Sequence, residues 1–147
     1  MKNRPIVFLL LLLLTSQCSQ KEATVAPKIA TLIGTWKLVQ PDSSYAVTLQ
    51  FAYDSANPPH DITPFLASGK ASVNTYTLRL FATLDGVLVA ENLASTQVAG
   101  SPEAMSFEQA YFTNLKAAVR YEVTTNDQLR LYHGGAQPHV MVYERMK

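Results

Sequence analysis

Short runs in which apolar and polar residues alternate recur through most of this chain, and that period gives way only once. Ala46–Phe51 (AVTLQF) is the clearest run, with Val47, Leu49 and Phe51 on one face and Thr48 and Gln50 on the other. A period of two with one apolar face marks a half-buried antiparallel strand. Thr35–Val39 repeats the pattern, placing Trp36 and Leu38 on one face before Pro41-Asp42 closes the run. Further strands are predicted at Gly69–Asn74, Thr77–Leu84, Val87–Ala90 and Leu93–Val98. Asp85-Gly86 reads as a two-residue hairpin turn, since glycine tolerates the positive φ of a type I′ turn. Three prolines, two aspartates and an asparagine crowd YDSANPPHDITPF, so Ala52–Ser68 is expected to be one long surface loop.

The period changes at Ser101-Pro102-Glu103. A serine to cap, a proline in the first turn and an acid beside it make a helix start. Met105, Glu108, Phe112, Leu115 and Val119 then recur three or four residues apart, predicting a helix to about Ala117 with these residues on its inner stripe. Strands resume at Val119–Thr124, around Leu129 and Leu131, and at Val140–Arg145, with turns at Thr125-Asn126-Asp127 and Gly134-Gly135. Seven or eight short strands with one late helix give an antiparallel α+β domain.

The start of the chain has a different character. Met1–Arg4 carries two positive charges, and the nine residues Ile6–Leu14 are all apolar. That is the form of an export signal, and it falls short of the roughly 20 apolar residues a membrane span needs. Behind it, Thr15-Ser16-Gln17-Cys18-Ser19 holds the one cysteine of the chain. This stretch resembles a bacterial lipobox, in which the cysteine is acylated after the signal is cut away. Thr15 and Gln17 stand where the usual pattern has Leu and a small residue, and a plain secretory signal with an incidental cysteine is the alternative. The lipobox reading makes residues 1–17 a signal peptide, 18–28 a lipidated tether and 29–147 the folded domain. The partner at Cys18 is then a membrane. Each buried methylene contributes about 0.8 kcal/mol and one acyl chain anchors only marginally, so several chains are needed for lasting attachment. Ser19, rather than Asp, after the cysteine points to the outer membrane of the cell envelope, on its periplasmic or surface side.

Of the 12 basic residues, Lys2 and Arg4 leave with the signal, so 10 face 11 acidic ones in the mature chain. Nucleic-acid binding needs clustered Lys and Arg, and no nucleic-acid partner is expected.

Candidates for chemistry are few. His60, His133 and His139 lack the HxH or HExxH spacing of metal ligands, although His133 and His139 could face each other across a hairpin. No metal and no cofactor are expected. Glu108 falls on the apolar stripe of the helix, where an unpaired acid costs several kcal/mol. It is either a carboxylate tuned for acid–base work or an acceptor for backbone amides or a Tyr or Arg side chain. No second carboxylate or nucleophile is spaced to work with it. No GxSxG is present, and no helix follows Gly134-Gly135 to make a phosphate cradle. No catalytic residue is assigned.

Taken in order, GTWKLV, SGKASVNTY, LASTQVAG, SPEAMSFEQAYFTNL and NDQLRLY resemble the META domain, the family of the heat-shock protein HslJ. The family's Trp strand falls on Gly34–Leu38, its Gly-Cys-Asn turn and Tyr on Ser72-Val73-Asn74 and Tyr76, and its Thr-x-Met-Ala-Cys segment on Thr96–Gly100. Its helix positions fall on Met105, Glu108 and Leu115, and its Leu-x-Leu on Leu129 and Leu131. The two cysteines of many members are absent, with Val73 and Gly100 in their places, so a redox role is excluded. The resemblance implies a strongly curved sheet wrapped around the helix like an opened barrel. It attaches no catalytic activity, and it makes Trp36, Asn74, Tyr76, Thr96, Met105, Glu108 and Leu115 structural positions. The expected function is an envelope-anchored lipoprotein serving as an interaction or structural module in stress tolerance or secretion. The alternative is a lipocalin-like carrier of a small apolar ligand, since Gly34-Thr35-Trp36 also fits the opening of lipocalin strands. The helix decides between these, according to whether it plugs the sheet.

Overall fold

Strand β1 (Gly34–Gln40) sits mid-sheet and divides the chain's strands into two meanders. One runs outward through β2 (Thr48–Tyr53), β3 (Thr63–Lys70), β4 (Thr75–Ala82) and β5 (Leu88–Ser95). The other comes back from β6 (Ala118–Val123) through β7 (Gln128–His133) to β8 (His139–Arg145), which pairs with β1. The result is one eight-stranded sheet in the order β5-β4-β3-β2-β1-β8-β7-β6, with antiparallel pairing between all neighbours. These observations come from a computed structural model that describes residues 25–57 and 61–147. The expected signal segment, Cys18 and His60 lie outside the described residues.

The sheet curls until its two edges meet. Val87, just before β5, bridges to Arg120 of β6, and the Tyr121 amide donates to Gly86 O at 2.8 Å. The Tyr121 hydroxyl donates to Thr83 O at 2.8 Å and fastens the same seam. Away from this point the helix α2 (Pro102–Lys116) crosses from β5 to β6 and lies against the inner side. A nearly closed barrel around one late helix agrees with the expected α+β class. A second helix, α1 (Pro27–Ala30), runs from the last two residues of the expected tether into the domain, and its Lys28 ammonium donates to Leu84 O at 2.7 Å.

Period-two alternation fills the interior. Trp36 and Leu38, Leu49 and Phe51, Leu78 and Leu80, Leu129 and Leu131, and Tyr143 all point inward and are buried. Burying one such side chain contributes roughly 1.5–3 kcal/mol. Trp36 satisfies its indole N–H by donating to Leu32 O at 2.9 Å, and the Arg145 guanidinium stacks 4.1 Å from its ring.

Four expectations about the strands and their turns need correction. Ala52–Ser68 is not one loop, since β2 extends to Tyr53 and β3 begins at Thr63. Pro64 is tolerated because its carbonyl faces the β2 side, accepting from Asp54 at 3.3 Å, beyond the last β2–β3 pair, Tyr53↔Phe65. Its missing N–H therefore falls at the end of the ladder, where a proline is tolerated. Second, Gly69–Asn74 is not a strand throughout, because the chain turns after Lys70 and the Ala71 amide donates to Asn74 O at 2.8 Å. Third, the runs expected at Val87–Ala90 and Leu93–Val98 fall largely in one strand, β5, which ends at Ser95 and is kinked where Asn92 takes φ 54° and the register to β4 shifts. Fourth, the β4–β5 hairpin has three residues between Thr83 and Val87 rather than two. Gly86 at φ 91° closes it, a conformation that a side chain resists.

The helix starts where the sequence places it, with Ser101 as N-cap accepting the Ala104 amide at 3.2 Å. Its inner face is rotated by about one residue from the expected stripe. Ala104, Glu108, Tyr111 and Leu115 are buried, Phe112 is half-buried, and Met105 and Val119 are 40% and 52% exposed.

Candidate functional site

The turn Ala71–Asn74 and the first half of α2 come together around Glu108. Its Oε2 accepts the backbone amides of Asn74 at 2.9 Å and Val73 at 3.2 Å, and the Ser72 hydroxyl at 3.4 Å. Its Oε1 accepts the Asn74 side-chain amide at 2.7 Å. Asn74 in turn uses its Oδ1 to accept Thr96 Oγ1 and the Val98 amide, both at 2.7 Å. Ser72 Oγ also donates to Ala104 O at 2.8 Å. Thus one carboxylate and one carboxamide join the β3–β4 turn, the end of β5 and the helix.

Burial raises the Glu108 pKa, but hydrogen bonds from Asn74, Val73 and Ser72 outweigh it and hold the carboxyl below its ordinary value. Glu108 is therefore an anion at neutral pH that accepts hydrogen bonds at both oxygens. The site accepts hydrogen bonds and has no proton to give.

Deeper in the barrel three tyrosines meet. Tyr111 Oη lies 2.7 Å from Tyr76 Oη and 3.3 Å from Tyr143 Oη, and Tyr76 donates to Thr48 O at 2.7 Å. Burial pushes all three phenols above their ordinary pKa. Tyr76 and Tyr143 belong to strands four places apart in the sheet, so a single helix residue touching both shows how tightly the sheet wraps.

Of the positions singled out in the sequence, Asn74, Thr96 and Glu108 share one network, and Tyr76 joins the neighbouring tyrosine cluster. Leu115 lies in the core, Trp36 packs under Arg145, and Met105 stands on the outer side of the helix. Sequence reasoning missed Tyr111 and Tyr143. The signal for Tyr111 was its place three residues after Glu108, on the same helix face.

Val73 and Gly100 are neighbours. A Cβ built on Gly100 would lie 3.6 Å from Val73 Cβ and 2.5 Å from its Cγ2. That separation suits a disulfide, for which Cβ···Cβ is about 3.5–4.5 Å. In this chain the valine methyl occupies the space instead.

His133 and His139 form the last registered pair of β7 and β8, with ring centroids 5.8 Å apart. His133 is buried and its pKa is lowered, first by burial and then by the charge of His139. Among the described residues no three His, Cys, Asp or Glu side chains gather as a metal centre. None of the described helices is long and apolar enough to cross a membrane.

A nearly closed antiparallel barrel, plugged by a late helix whose acid clamps the β3–β4 turn, defines a small α+β domain of the opened-barrel kind. The chain belongs to the META domain family, whose sequence model matches residues 30–146. Among solved structures, a solution NMR structure of a protein from Burkholderia xenovorans is similar, with a TM-score of 0.60 and 22% identity over 84% of this chain and 94% of that one. At that identity the likeness shows the fold alone. No curated protein matches the sequence.

Proposed function

We propose that this protein is an envelope-anchored lipoprotein whose META domain is a non-catalytic interaction or structural module in stress tolerance or secretion. The observation that carries the non-catalytic part is the occupancy of Glu108. The carboxylate buried beside the turn accepts hydrogen bonds at both oxygens and is kept charged, which suits a clamp and not a general acid. The tyrosines beside it are neutral and hydrogen-bonded to one another.

The outer sheet face supports an interaction role. Leu66 and Val89 are 51% and 46% exposed beside half-buried Phe81, on the same face of β3, β4 and β5. Exposed apolar residues grouped in this way suit contact with an envelope protein. The carrier reading draws no support from an interior occupied by Trp36, Tyr111, Leu115 and Tyr143. The anchor reading rests on the lipobox-like segment ending in Cys18.

Native mass spectrometry of the purified protein tests the module against the carrier. The module predicts the mass of the chain with its lipid and nothing more. An additional mass of a few hundred daltons, lost on denaturation, contradicts it.

A further inference from the structure

The barrel mouth beside the β7–β8 hairpin carries a group of side chains that the Glu108 network does not use. His133 and His139 are directly opposed across the two strands and both project to the inner side, in line with Leu131 and Leu129 on β7 and Met141 and Tyr143 on β8. Their rings are 5.8 Å apart at the centroids and inclined by 31°. With metal–nitrogen bonds of about 2 Å, two imidazoles on one ion have ring centres about 4.4–6.2 Å apart as the bond angle opens from square to linear. The observed separation already lies in that window.

Three further features favour an ion here. Among the described residues neither imidazole is engaged in a hydrogen bond, so no bond must be given up for ligation. His133 is held by its burial at 8% exposure, while exposed His139 is free to adjust its ring. The pair opens into a groove of about 600 Å³ that is also lined by Gln40 and by Asn114 in the last turn of α2. Amide oxygens of that kind and water complete a coordination sphere, and the partial negative charge of a helix C-terminus favours a cation.

We propose that His133 and His139 form a two-imidazole site for a late first-row divalent metal ion, with Cu²⁺ bound most tightly. The preference for copper follows from nitrogen ligation and the general order of divalent affinities. Two protein ligands and an open groove make this an exchangeable site, unlike the closed four-ligand sites that hold folds together. Protons compete for the same nitrogens, so affinity falls as pH drops through the imidazole range.

The test is titration of the full chain, carrying no affinity tag, with Cu²⁺ in a non-coordinating buffer, followed by calorimetry and electron paramagnetic resonance. His139→Ala, His133→Ala and His60→Ala are compared with the unaltered chain. The expected result is saturable binding of one ion with nitrogen hyperfine structure from two imidazoles. His139→Ala should weaken it at least tenfold and remove that two-nitrogen signature, and His60→Ala should change neither. Because His139 is exposed, its substitution leaves the fold intact, which the unfolding midpoint without metal checks. Absence of saturable binding below about 100 µM overturns the proposal. So does a His139→Ala chain that binds within tenfold of the unaltered protein or keeps the two-imidazole signature.

Discussion

Glu108 holds Asn74 twice, accepting its backbone amide at 2.9 Å and its side-chain amide at 2.7 Å. The residues are 34 apart in sequence, and through this contact α2 is joined to the turn between β3 and β4. Glu108→Gln keeps the shape but turns an NH₂ toward donors at one of the two oxygens. A buried donor left facing a donor, with the charge also lost, should cost about 2–3 kcal/mol. Urea unfolding of Glu108→Gln should show that loss, while Met105→Ala, on the outer side of the helix, should shift stability by no more than about 0.5 kcal/mol. Equal small effects at both positions would contradict the clamp.

The clamp also sets a pH dependence. The folded Glu108 carboxyl titrates below its unfolded value of 4.5. Its contribution is therefore fully present above that value and disappears as pH falls through the lower folded value. The stability gap between the unaltered chain and Glu108→Gln should be constant near neutrality and shrink in acid. A gap that is the same at pH 7 and in strong acid would remove the charge from the explanation.

Val73 and Gly100 report on the same junction from its other side. Gly100→Ala places a methyl 2.5 Å from Val73 Cγ2 and should destabilise by about 1–3 kcal/mol. Adding Val73→Ala should return part of that loss, so the double-mutant cycle should show coupling. Val73→Cys with Gly100→Cys should cross-link under mild oxidation, measured as loss of two free thiols. Persistent free thiols would show that the turn and the β5–α2 connection are not apposed.

Tyr111→Phe removes the hydroxyl shared by Tyr76 and Tyr143 and should cost about 1–2 kcal/mol. In alkaline titration the phenolate absorbance of Tyr76, Tyr111 and Tyr143 should appear only as the fold is lost, since burial raises all three. Ionisation of all the tyrosines in a single step before unfolding would contradict a dry interior.

What was legible in the sequence follows from local physics. The Leu49 and Phe51 face of β2, with Val47 just before it, and the Ser101 start of α2 depend on alternation and capping, which need no distant partner. β3 was hidden because Pro64 is read as a strand breaker, and only the pairing with β2 shows that it falls just past the last pair, Tyr53↔Phe65. The helix face was misplaced because tyrosine ranks as half-polar. The hydroxyl of Tyr111 is buried comfortably only because Tyr76 and Tyr143 arrive from remote strands. The bend at Asn92 likewise has no apolar pattern of its own, so one strand read as two.

Membrane attachment through Cys18 is the claim on which the proposed role turns, and the intact mass of the protein extracted from its native envelope tests it most directly. The account predicts a chain beginning at Cys18 with the added mass of its acyl groups, found in the membrane fraction, and a Cys18→Ala chain released from that fraction. A mature chain with an unmodified Cys18, or a Cys18→Ala chain that stays with the membrane, would contradict it.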